Sequence, residues 1–121
     1  MVILSEMRLA ADIDVSFLTK LLSVSKYAYL AYEDGSRIIP KEIIYMLAKI
    51  YDVDINVLFN GIDEKTKLAL LKIKLMSKED KKNYLTSNLL GNGIKLTYHN
   101  VNKVKKKILN DLCTTKGNET S

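Results

Sequence analysis

VSKYAYLAYEDG, residues Val24 to Gly35, decides how the rest of the chain is read. Ser25 has the short side-chain oxygen that accepts from free amides of a first helical turn, so it is expected to cap a helix running through Glu33. Ala28, Tyr29 and Tyr32 fall on one side of that helix. Gly35 tolerates positive φ and closes it. Tyr27 falls on the outward face, beside Lys26, with Leu30 and Ala31 one turn further. Tyr29 and Tyr32 are expected in the core with their hydroxyls reaching towards the surface.

Helical periodicity continues on both sides. Met1 to Ala11 forms an amphipathic segment with Ile3, Leu4, Met7 and Ala11 on one face. Asp14 is expected to cap a helix carrying Val15, Leu18, Leu21 and Leu22. Downstream, Pro40 suits a helix start, followed by the stripe Ile43, Ile44, Leu47, Ala48 and Tyr51. Asp54 is expected to cap Ile55–Phe59, and Asn60-Gly61 ends this first unit. Two more helices are expected over Asp63–Leu75 and Ser77–Leu90, with Ser77 and Asp80 as a variant capping box. Gly91-Asn92-Gly93 signals a turn. Ile94, Leu96 and Tyr98 alternate with polar residues, so a few extended residues are expected there. Val101, Val104, Ile108 and Leu112 space as a last helix. The expected fold is therefore all-α. A compact unit at 1–60 precedes a helical extension at 61–113 and a disordered tail at Thr114–Ser121.

Composition excludes several classes. With 121 residues and 47% hydrophobic content the chain suits one globular domain, or a small domain with an appendage. Five Gly and one Pro argue against an all-β meander. One Cys, Cys113, and one His, His99, give no disulfide and no usual zinc framework, so no metal or cofactor is expected. No run of residues is apolar and long enough to span a bilayer, and no signal peptide opens the chain, so a cytoplasmic protein without a membrane role is expected. His99 lacks a partner Ser, Asp or Cys. No phosphate-binding Gly loop or carboxylate dyad is present, so no enzyme and no catalytic residue is expected. The sequon Asn118-Glu119-Thr120 is disregarded for want of any sign of secretion.

The net charge of +5 is unevenly spread. Residues 1–60 hold 6 basic and 8 acidic side chains, a balance of −2, whereas the remainder holds 13 Lys and 6 acids, a balance of +7. A basic chain suits a polyanionic partner. The run KVKKK supplies Lys103, Lys105, Lys106 and Lys107. A solvated helix face is the ordinary reading of such a run, and non-specific phosphate contact is the sharper one.

The ordered set Arg8, Leu18, Val24-Ser25, Glu33-x-Gly35, Arg37, Pro40, Leu47-Ala48, Val53 and Leu58 resembles the helix-turn-helix domain of the lambdoid phage repressors and Cro, the Xre-type regulators, over about residues 3–59. KLMSKEDKKNYL is similar to the helix that often follows that domain in regulators of low-GC Gram-positive bacteria and their phages. The resemblance implies a five-helix DNA-binding domain. Its second helix would cross the DNA backbone, and its third would enter the major groove. It further implies base contacts by Lys26, Tyr27, Leu30 and Ala31, and phosphate contacts by Ser16, Ser25, Arg37 and Lys41. Arg8 and Glu33 would form an ion pair tying the first helix to the third. This chain departs from the pattern in carrying Val15 in place of a frequent Gln, Ser23 in place of the turn Gly, Thr19 in place of a small Ala and Tyr29 in place of an aliphatic residue. It also has one extra residue between Gly35 and Pro40.

The expected function is a sequence-specific, dimeric regulator of transcription that binds double-stranded DNA, of the phage or mobile-element repressor kind. Leu68, Leu70, Leu71, Ile73, Leu75 and Met76 are too many for an isolated helix. They require the front unit or a second subunit, and a homodimer is the economical answer. The alternative is the same scaffold used as a protein-binding module, an antitoxin or an inhibitor of a nucleic-acid enzyme, docking through Tyr27, Leu30 and Ala31.

Overall fold

The computed structural model describes the backbone of residues 3–120 and the side chains of residues 3–113. The described chain is helical, with no strand. It comprises α1 (Leu4–Ala11), α2 (Val15–Leu22), α3 (Lys26–Asp34), α4 (Lys41–Tyr51), α5 (Val57–Asn60), α6 (Glu64–Lys74), α7 (Lys78–Leu90) and α8 (Tyr98–Thr120). The tail expected at Thr114–Ser121 lies outside the residues described in full.

Side-chain caps open α3, α6 and α7. Ser25 Oγ accepts from Ala28 N at 3.0 Å, Asp63 Oδ1 from Thr66 N at 2.8 Å, and Ser77 Oγ from Asp80 N at 3.1 Å. Asp14 occupies the N-cap of α2 in extended backbone, but its carboxylate makes no capping hydrogen bond. Asp54 does not start α5 directly. Its carboxylate accepts from Asn56 N at 2.8 Å, and this local turn delays the helix to Val57. The extended stretch expected around Ile94–Tyr98 forms no ladder, because no second strand lies beside it. Instead, Thr97 Oγ1 accepts from Asn100 N at 3.1 Å, so the last helix starts at Tyr98, earlier than the apolar spacing indicates.

One core unites the chain. Leu4, Met7, Leu18, Leu22, Tyr29, Leu47 and Ile50 share it with Leu70, Ile73, Leu85, Leu89 and Val101. The extension beyond Asn60-Gly61 therefore has no core of its own: α6 packs on α1, α7 on α4, and α8 on α4, α7 and α2. Asn88 Nδ2 donates to Ile50 O at 2.9 Å, pinning α7 to the last turn of α4. Of the six apolar residues expected to need a partner, Leu70 and Ile73 are buried, while Leu68, Leu71 and Leu75 stay exposed.

Ser23 ends α2 in the left-handed region, with φ 54° and ψ 47°. A Cβ is disfavoured there, whereas glycine is not. Ser23→Gly should therefore raise stability by about 0.5–1 kcal/mol, the relief of strain less the extra freedom of the unfolded chain. Thermal or urea unfolding measures this, and a less stable variant would contradict the assignment of strain.

Candidate functional site

The α2–Ser23-Val24-Ser25–α3 unit is the best-defined exposed feature. Val24 N donates to Thr19 O and Ser23 N to Lys20 O, both at 3.2 Å, so the turn is closed by the last carbonyls of α2. Thr19 is buried, and its hydroxyl donates to Ser16 O at 2.9 Å. That bond satisfies a polar group at a point where α2 and α3 approach each other.

The first turn of α3 faces solvent. Lys26 is exposed, and Tyr27 is 75% exposed. The Arg37 guanidinium lies 5.3 Å from the Tyr27 ring centroid, a distance at which the cation is attracted to the ring face. Leu30 is 40% exposed one turn on. Ala31 is different: at 7% exposure its methyl is turned inward, so it offers neither a base nor a partner protein an outward contact. The helical spacing that groups it with Leu30 does not reveal this, because the chain following α3 folds back over it. Arg37 N donates to Ala31 O at 3.2 Å.

Ser16 is exposed in the first turn of α2 and Lys41 in the first turn of α4. Ser25 Oγ already accepts from Ala28 N, which leaves its hydroxyl hydrogen free to donate to an anion. Lys103, Lys106 and Lys107 are exposed, and Lys105 is half-buried. Lys103 and Lys107 line a groove with Lys49 and the C-terminal end of α7. Lys26 instead lines a groove with Lys78, Lys81 and Lys82 at the opposite end of α7. The KVKKK run is thus separated from the start of α3 by most of the length of α7. The lysines that share a groove with Lys26 are ones that chain order alone did not single out.

Beneath this face lies an ion pair. Arg8 Nε donates to Glu33 Oε2 at 2.6 Å and Arg8 Nη2 to Glu33 Oε1 at 3.2 Å, a two-pronged contact joining α1 to α3. Arg8 Nη1 also donates to Ile13 O at 3.4 Å. The side chains are 15% and 9% exposed. Partial burial acts to raise the Glu33 carboxyl, but the Arg8 hydrogen bonds and charge and the neighbouring Tyr29 hydroxyl outweigh it and hold the group below its ordinary range. The hydrogen bond to Glu33 raises Arg8 correspondingly. Tyr29 and Tyr51 sit close by with their hydroxyls buried rather than at the surface, and burial pushes both above the usual phenol range. Tyr29 Oη lies near Glu33 without meeting hydrogen-bond geometry.

Among the described residues, no group of three or more His, Cys, Asp or Glu side chains is placed to hold a metal ion. His99 and Cys113 are both exposed and lie on α8. No described helix is long and apolar enough to cross a membrane. By fold this is an all-α protein with eight helices among its described residues. No family model, curated protein or solved structure matches the chain.

Proposed function

We propose that this chain is an Xre-like helix-turn-helix regulator that binds operator DNA as a homodimer, with α1–α5 as its five-helix reading domain. The observation that carries the reading is the α2–turn–α3 unit. A three-residue turn joins two short helices, the Arg8–Glu33 pair anchors the second to α1, and its first turn presents Lys26 and Tyr27 to solvent. In such a unit α3 enters the major groove while α2 crosses the backbone. Lys26 donates to guanine O6 and N7, Tyr27 donates through its hydroxyl and packs on a thymine methyl, and Leu30 supplies apolar contact. Ser16, Ser25, Arg37 and Lys41 meet phosphates. Ala31 is left out of the contact set because it is buried.

The dimer has its own support. Leu68 and Leu71 on α6 and Leu75 at its C-cap recur at helical spacing and remain exposed after the rest of that helix has packed on α1. A second copy is the economical cover, because two-fold symmetry also presents two reading helices to half-sites about one DNA turn apart.

A protein-docking role for the same face draws on a different observation. Tyr27, Leu30 and Ile38 are all exposed apolar side chains, Ile38 at 95%. Selection of bound duplexes from random DNA at about 0.15 M salt separates the two readings. An enriched palindromic motif with half-sites near one turn apart supports the regulator. Binding without a motif, or no binding, favours the docking module.

A further inference from the structure

We propose that α7 carries a second phosphate-binding strip, in which Lys78 and Lys82 hold the phosphodiester backbone of duplex DNA beside Lys26 and the α2–α3 unit. The inference rests on the DNA-binding reading above and adds the extension to its interface. A groove of about 540 Å³ runs between the start of α2 and the start of α7. Its walls bring lysines from distant parts of the sequence onto one face.

The placement is fixed by packing. Lys81 Nζ donates to Asp12 O at 2.7 Å and lies 3.9 Å from the Asp12 carboxylate, fastening α7 to the α1–α2 turn. With Lys81 committed to that brace, Lys78 and Lys82 flank it at the mouth of the groove. The Lys82 ammonium sits 5.8 Å from the Phe17 ring centroid. Lys26 enters from the first turn of α3. Among the described residues none of these three lysines is held in an ion pair, and all three are exposed. Asp14 and the exposed Asp12 carboxylate, 3.9 Å from Lys81, are the opposing charges on the wall, and Arg8 is paired with Glu33.

This arrangement also resolves the charge asymmetry. Residues 1–60 carry a balance of −2, unfavourable for a surface that must approach a polyanion. The fold offsets it by laying Lys78, Lys81 and Lys82 at the start of α7, which also holds Glu79 and Asp80, against the front unit. Point-charge ammonium groups on flexible stems suit phosphates, which carry no sequence information. The strip therefore supplies affinity and leaves base reading to α3.

The test is the salt dependence of binding to a fluorescent duplex of about 20 base pairs, two helical turns, with the full chain. Removing one lysine that neutralises a phosphate lowers the slope of log K against log salt by about 0.9. Lys78→Gln/Lys82→Gln should reduce the slope by about 2 per protomer, by similar amounts on different sequences. Lys65→Gln/Lys95→Gln removes the same charge away from the groove and should leave the slope near wild type. Asp14→Asn keeps a good capping residue and should tighten binding. Circular dichroism establishes that each variant is folded. An unchanged slope in Lys78→Gln/Lys82→Gln, or an equal fall in the Lys65/Lys95 control, overturns the strip while the DNA-binding reading stands. No duplex binding by the wild-type chain removes both.

Discussion

Arg8→Ala should destabilise the folded chain by about 2–3 kcal/mol at neutral pH. That is below the roughly 3–5 kcal/mol for a fully buried pair, because solvent still reaches this one. The loss comes from the partner left behind. Glu33 would keep its charge in a site that is 9% exposed, with Tyr29 beside it and no guanidinium. The pH dependence identifies the cause. In the wild-type fold the Glu33 carboxyl lies below its ordinary value. Its contribution is therefore fully present above the unfolded value of about 4.3 and is lost as pH falls through the lower folded value. In Arg8→Ala the desolvated carboxyl moves the other way, so acidification relieves the variant by protonating it. The stability gap between wild type and variant should narrow as pH is lowered from about 7 towards about 4. Glu33→Gln should lose this part of the acid sensitivity. Urea unfolding across that range decides the matter. A gap independent of pH, or a variant as stable as wild type, would show that the pair does not hold α1 to α3.

The second large effect belongs to the reading face. Lys26→Ala and Tyr27→Ala should each cost about 1–3 kcal/mol of affinity for the selected operator, roughly fivefold to 150-fold. Both side chains are exposed, so melting temperatures should stay near wild type. The two losses differ in kind. Removing Lys26 takes away a cation, so it should also weaken non-specific duplex binding and flatten the salt dependence. Removing Tyr27 should relax sequence preference with little change in salt slope. Wild-type operator affinity in both variants would sink the assignment of α3 as the reading helix. Loss of binding to a protein partner instead, with DNA binding intact, would favour the docking module.

The helices were largely legible from local chemistry. Ser25, Gly35, Asp63 and Ser77 mark ends that the structure places within a residue of the expected positions, because capping is decided by a few neighbouring atoms. Local rules missed where a nearby polar group competed. Asp54 spends its carboxylate on Asn56 and delays α5, and Thr97 starts α8 ahead of the apolar spacing. The Arg8–Glu33 contact came from a resemblance rather than from spacing, since the two residues are 25 positions apart.

Helicity, the starts of most helices and the residues leading the outward turn of α3 follow from the order of residues. Those properties depend on periodicity and on side chains reaching a few positions along the backbone. The fold back of the chain after α3 was needed to cover Ala31, and packing between distant segments to merge the extension with the front unit's core. That packing also selected the lysines that stand beside Lys26. A run such as KVKKK is conspicuous in the sequence because its charges are consecutive. Yet an electrostatic surface is made by whichever groups packing brings together, and α7 turns Lys78 and Lys82 towards α2 because Leu85 and Leu89 must be buried on the core.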